Sequence, residues 1–112
     1  MLYQDIEVSM FQNFSEDQKK NAIDHLTKNL VALRTMLHMT QAQFAELMGV
    51  TRQTLVRYET GKGAMPWNTF LSFLFVFSQR EETRDLLKIL GVYPEEMQAI
   101  YQDRKPSGKE SA

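Results

Sequence analysis

Arg52, Gln53, Val56 and Arg57 put two guanidinium groups, an amide and a pair of methyls within six residues. On a helix advancing about 100° per residue, these four fall on one side, with Leu55 and Tyr58 roughly opposite. That set of groups suits the edges of base pairs. Arginine pairs bidentately with guanine O6 and N7, glutamine with adenine N6 and N7, and an apolar side chain can meet a thymine methyl. Taken alone, a basic face on an amphipathic helix is more often solvated surface, so the elements that would hold it decide its meaning.

Those elements can be read from the flanking residues. Thr40-x-x-Gln43 is a capping-box pattern that opens a helix, and Gly49 is placed to end it. Phe44, Ala45 and Met48 share one face of that helix, and Ala45 is small enough to let a neighbour approach closely. Gly49 permits a sharp turn, Val50 plugs the space beneath it, and Thr51 is an N-cap for a second helix that stops near Gly61. The free N–H groups after Thr40, with Gln41 beside them, form an anion site of the kind that holds a DNA phosphate. Lys62, between Gly61 and Gly63, lies on a turn from which it could reach backbone phosphates.

The stretch LRTMLHMTQAQFAELMGVTRQTLVRYETGK, followed by a proline-led helix, resembles the XRE/Cro and lambda-repressor-like helix-turn-helix family. The resemblance covers about residues 28–77 and matches nearly every fixed position from Leu33 through Gly61. It implies a helix-turn-helix at about 40–60 that binds double-stranded DNA, with Arg52, Gln53 and Arg57 facing the major groove. It also implies phosphate contacts from Gln41, Thr54 and Lys62, and Thr51, at the start of the same helix, is counted with them. Val56 completes the base-reading set. A buried ion pair, here Arg34 with Glu59, is implied between the first helix and the end of the recognition helix. Two positions depart from the family pattern. Leu47 stands where a polar residue is usual and is expected to pack against the N-terminal extension. Thr60 replaces a common Asn, which puts a backbone contact from that residue in doubt.

The remaining chain reads as helix. Ser15-x-x-Gln18 is another capping box, and Ile23, Leu26, Leu30, Leu33 and Leu37 are spaced as the apolar stripe of one long helix. Pro66 starts a helix through about Phe77, Ser78-x-x-Glu81 caps the next, which Gly91 ends, and Pro94 begins a short last one. The class is therefore all-α, a compact bundle of five to six helices, of lambda-repressor-like type by the resemblance. Residues 1–14 read as an N-terminal arm, strand or irregular, residues 15–100 as the DNA-binding domain, and residues 101–112 as a disordered tail. Phe70, Leu71, Phe73, Leu74, Phe75, Val76 and Phe77 point all round their helix, so that helix must be buried on every side. Phe73, Val76 and Phe77 are assigned to a homodimer interface, the alternative being cover from the later helices and the arm.

Charge and composition narrow the function. The net charge is −1, but residues 28–62 carry five bases against two acids, while the rest carries eight bases against twelve acids. Local sign governs phosphate contact more than the total does. The chain lacks cysteine, and His25 and His38 lie too far apart in sequence for a helical ligand pair, so no metal or other cofactor is expected. His38 reads as a favourable group at a helix C-terminus. No phosphate-cradling glycine loop or nucleophile elbow appears, which argues against an enzyme. No apolar run is long enough for a membrane span, and no export signal is evident, so a cytoplasmic protein is expected. The sequence-level conclusion is a sequence-specific transcriptional regulator, a repressor occupying an operator as a homodimer. The alternative is a partner-binding regulator of the same fold, such as the antitoxins that resemble this family and use a second segment to occupy a toxin.

Overall fold

The computed structural model describes residues 14–92, and its first helix begins at a closed capping box. The Gln18 N–H donates to Ser15 Oγ at 3.0 Å, and the Ser15 N–H donates back to Gln18 Oε1 at 2.8 Å. The helix so started, α1 (Glu16–Lys28), is followed by α2 (Leu30–Met36), α3 (Gln41–Met48), α4 (Arg52–Glu59), α5 (Trp67–Ser78) and α6 (Glu81–Ile89). Among the described residues there is no strand, and the class is all-α as expected. Of the arm expected over 1–14 only Phe14 is described, and it is buried; the helix expected from Pro94 and the tail over 101–112 lie outside the described residues.

The single long helix expected from Ser15 to Leu37 is two. Asn29 leaves helical geometry at φ −116° and ψ 15°, and its Nδ2 donates to the His25 carbonyl at 2.8 Å. An asparagine amide that bonds to a backbone carbonyl offers the chain an alternative to continuing the helical ladder. The apolar stripe survives the break because only one residue departs from the helical path. Leu26, Leu30 and Leu33 are all fully buried, with Ile23 and Leu37 packed beside them.

An aromatic cluster joins the middle of the chain to α5. Phe44 of α3 meets Phe73 edge-on, with ring centroids 5.5 Å apart, and stacks on Phe77 at the same separation. Tyr58 of α4 meets Phe73 edge-on at 6.2 Å. Offset and edge-on pairs of this kind add to the stabilisation from burial itself. The fully or nearly fully buried residues of α5 are Phe70, Phe73, Leu74 and Phe77, a single stripe at helical spacing.

That stripe corrects the assignment of Phe73 and Phe77 to a dimer interface. Both are fully buried within the chain, each against Phe44 of α3 and Phe73 also against Tyr58 of α4, so neither has surface left for a second copy. The helix is less uniformly apolar than its composition suggests, because Asn68 and Ser72 occupy the outer side. Of the three residues, only Val76 retains exposed surface. Phe75, 65% exposed, is the phenylalanine that faces out.

The Ser78 capping box is not formed either. Ser78 is the buried last residue of α5, and α6 starts at Glu81 after Arg80, which makes no side-chain cap. The end of α5 is closed from the opposite side. The Thr83 hydroxyl donates to the carbonyls of Phe77 and Arg80, and Arg84 Nη1 donates to the Ser78 carbonyl at 3.1 Å. These bonds satisfy carbonyls that a helix end leaves without partners. Gly91 ends α6 as expected, and on the inner side of the helix Leu87 is fully buried, with Leu86 and Leu90 packed against the core. Thr83→Val keeps the shape but removes the hydroxyl from a buried carbonyl, and is expected to lower the unfolding free energy in urea by about 1–3 kcal/mol.

Candidate nucleic-acid interface

The link between α3 and α4 contains three residues, each with a distinct task. Gly49 takes φ 75°, where a side chain would be strained, and this ends α3. The Gly49 N–H donates to the Glu46 carbonyl at 3.2 Å and the Val50 N–H to the Ala45 carbonyl at 3.0 Å. Thr51 then restarts the helix. Its Oγ1 accepts the Thr54 N–H at 3.0 Å and lies 2.9 Å from Thr54 Oγ1, to which it donates. At the far end of α3, Thr40 and Gln43 close the second expected capping box. Ala45 is nearly fully buried, and Leu55 and Tyr58 turn inward from α4 as the wheel requires.

The Glu59 carboxylate gathers the surrounding helices. Arg34 Nε donates to Glu59 Oε2 at 2.7 Å and Arg34 Nη2 to Oε1 at 3.3 Å, with the two side chains 14% and 2% exposed. This is the ion pair implied by the resemblance, and it is buried and bidentate. Arg34 Nη1 adds a bond to the Met39 carbonyl at 3.0 Å, one residue before the cap of α3. Gln41 Nε2 donates to Glu59 Oε1 at 2.9 Å, while Gln41 Oε1 accepts from Arg52 Nη2 at 3.3 Å. The chain Arg34–Glu59–Gln41–Arg52 therefore ties α2 and the start of α3 to both ends of α4. The role of Gln41 and Arg52 in this network gave no signal in the sequence, because neither spacing nor residue type distinguishes an inward amide from an outward one.

What α4 leaves outside is basic and polar. Arg52, Gln53 and Arg57 are exposed, and Val56 and Thr54 are half-buried beside them. Thr51 and Lys62 are also exposed, and Gln41 is half-buried at the start of α3. The only carboxylate on α4 is Glu59, which is turned inward against Arg34, so the outer face of this helix bears cations and no acid. The Lys62 N–H donates to the Arg57 carbonyl at 2.8 Å and the Gly61 N–H to the Tyr58 carbonyl at 3.2 Å, closing α4 and setting Lys62 just past its end.

Residues 30–66 match the helix-turn-helix family model. Over this stretch the chain is similar to helix-turn-helix domains of the XRE and lambda-repressor-like type. The matched residues run from the first residue of α2 to Pro66, the N-cap of α5. In the helix-turn-helix, α3 is the bracing helix and α4 the recognition helix, and the match supports a DNA-binding transcription regulator of the XRE type. No curated protein and no solved structure matches the chain.

The two departures from the family pattern have structural correlates. The Thr60 hydroxyl turns back onto the recognition helix and donates to the Val56 carbonyl at 2.8 Å. Leu47 is 51% exposed and shares a shallow groove with Met48, Leu71, Ser72, Phe75 and Val76. Its expected packing against the N-terminal extension involves residues outside those described. His38 follows the end of α2 with φ 60°, and its N–H donates to the Thr35 carbonyl at 2.9 Å. Among the described residues, no group of side chains could hold a metal ion, and no helix is long and apolar enough to cross a membrane.

Removing one member of a buried ion pair leaves the other charged and without compensation. Glu59→Ala is expected to cost about 3–5 kcal/mol in urea unfolding, and the double replacement Arg34→Met with Glu59→Leu considerably less. A Glu59→Ala loss below about 1 kcal/mol would show that the pair behaves as a surface salt bridge.

Proposed function

We propose that this protein is a sequence-specific repressor that occupies an operator in double-stranded DNA through its recognition helix. The observation that carries the reading is the outer face of α4, where Arg52, Gln53 and Arg57 are exposed and the helix's one acid is buried. Arg52, Gln53, Val56 and Arg57 read base edges in the major groove. Gln41, Thr51, Thr54 and Lys62 hold phosphates on either side. An amide nitrogen carries two hydrogens, so Gln41 can keep its bond to Glu59 and donate the second to a phosphate oxygen. Thr54 accepts from Thr51 and retains its own hydroxyl proton to donate. The protein acts in the cytoplasm, through the helical domain that carries α3 and α4, without a cofactor and without catalysis.

Operator recognition by a module this small is completed by a second copy, whose recognition helix enters the groove about 34 Å away. The surface that supports this dimer differs from the one read in the sequence. It consists of Leu47, Leu71, Phe75 and Val76, of which Leu47 and Phe75 are more than half exposed. The same apolar groove supports a second reading, in which a different protein docks there and the chain is a partner-binding regulator of the antitoxin type. Sedimentation of the purified chain at low micromolar concentration separates the two. A dimer that Phe75→Glu converts to monomer is the expected result, and a monomer in both forms would favour the partner-binding reading.

Footprinting on DNA flanking the protein's own gene tests the operator itself. A protected site with two-fold symmetry, lost with Arg52→Ala, is expected, and absence of protection at modest salt would refute the reading. At that site Arg52→Ala should cost about 1–3 kcal/mol and have much less effect on random DNA. Lys62→Ala should weaken all DNA about equally and reduce the salt dependence of binding by about one counterion.

A further inference from the structure

Gly63 is a glycine for reasons of space. Its backbone, unlike that of Gly49 and Gly61, lies outside the left-handed region that excludes side chains. At those two positions a Cβ would meet nothing within 4 Å. A Cβ on Gly63 would stand 3.2 Å from Arg57 Cβ, 3.3 Å from Arg57 Nε and 3.8 Å from Tyr58 Cδ1. Contact at both the root and the Nε of Arg57 means that this side chain runs along the Gly63 backbone as it leaves α4. The two Arg57 contacts are tighter than ordinary packing, whereas the approach to Tyr58 is an ordinary contact that closes the site on one side. Arg57 Cβ is fixed to the recognition helix, and the Tyr58 ring is buried against Phe73. A methyl group would therefore push the Gly63 backbone off Arg57 Cβ by a few tenths of an ångström and displace the Nε end of the Arg57 side chain.

We infer that Gly63 is a positioning residue for Arg57, its bare backbone forming the shelf that directs the guanidinium out of the recognition helix. The inference rests on the proposed reading of α4 as the helix that faces DNA. A side chain packed along a rigid surface retains fewer conformations to lose when its end is immobilised at a base, so the shelf also pre-organises the contact. The loop from Gly61 to Gly63 thus has two tasks: Lys62 faces the phosphates, and Gly63 aims a residue of the preceding helix. Only the second requires a glycine without a left-handed backbone.

The test uses the full chain in four forms: wild type, Gly63→Ala, Arg57→Ala and the double replacement. In free protein, the Arg57 Nε–Hε NMR cross-peak should move in Gly63→Ala while the thermal transition remains cooperative. An unmoved peak would overturn the inference without reference to DNA. A preferred duplex is then selected from a random pool with wild-type protein, and all four forms are titrated on that duplex and on random DNA. Gly63→Ala should lose about fivefold or more on the preferred site, the lower end of what a misdirected base contact costs, with little change on random DNA. In the Arg57→Ala background the same change should have little further effect. Equal losses in both backgrounds, or wild-type affinity for Gly63→Ala, would overturn the role of Gly63 while leaving the operator reading intact. Failure of the pool to yield any preferred sequence would instead remove the operator reading and this role with it.

Discussion

The Glu59 carboxylate is the point on which the placement of the recognition helix depends. A charge that is 2% exposed is held in the protein only because Arg34 neutralises it through two nitrogens and Gln41 supplies a further donor. Those partners come from α2 and from the first residue of α3, while Glu59 ends α4. The pair consequently defines where the recognition helix stops relative to two other helices. The same hydrogen-bond chain extends through Gln41 to Arg52 at the other end of α4. Electrostatics inside the domain and the presentation of cations outside it are parts of one network.

Packing supplies what the network lacks. Directional bonds fix the ends of α4, but its inward face is set by Leu55 and Tyr58, and Tyr58 rests on Phe73. Phe44 brings α3 to the same phenylalanine and to Phe77. Helix α5 is thus the common floor under both arms of the helix-turn-helix. Its own end is closed by Thr83 and Arg84 of α6, so the floor is anchored by a helix outside the matched residues 30–66.

Much of this was legible in the sequence, for reasons that differ by element. The capping boxes at Ser15 and Thr40 and the turn at Gly49 depend on residues three or fewer apart, and local chemistry determines them. The stripe through Leu26, Leu30 and Leu33 was legible because burial follows helical period, but the break at Asn29 was hidden by a pattern that continues across it. Ser78 misled because the capping-box pattern also fits a serine that ends the preceding helix, and only the partners of Thr83 and Arg84 reveal this. Phe73 and Phe77 were misassigned because an apolar-rich helix does not state which of its aromatics its neighbours will cover. The Arg34–Glu59 pair entered through family resemblance. The bonds of Gln41 reach residues 18 and 11 positions away and the shelf at Gly63 one six positions away, and no pattern in the chain announces them.

The outward residues of α4 are not equally free to change. Arg52 is bonded to Gln41, and the Arg57 side chain lies along Gly63, so a replacement at either position disturbs a partner within the domain. Gln53 is exposed and stands apart from both of these tethers. Under the proposed function, a new binding preference would therefore meet the least structural resistance at Gln53, where side chains can be sampled singly. Divergence at Arg52 or Arg57 would proceed in pairs, Arg52 with Gln41 and Arg57 with Gly63, leaving a record of coupled change among descendants of this chain.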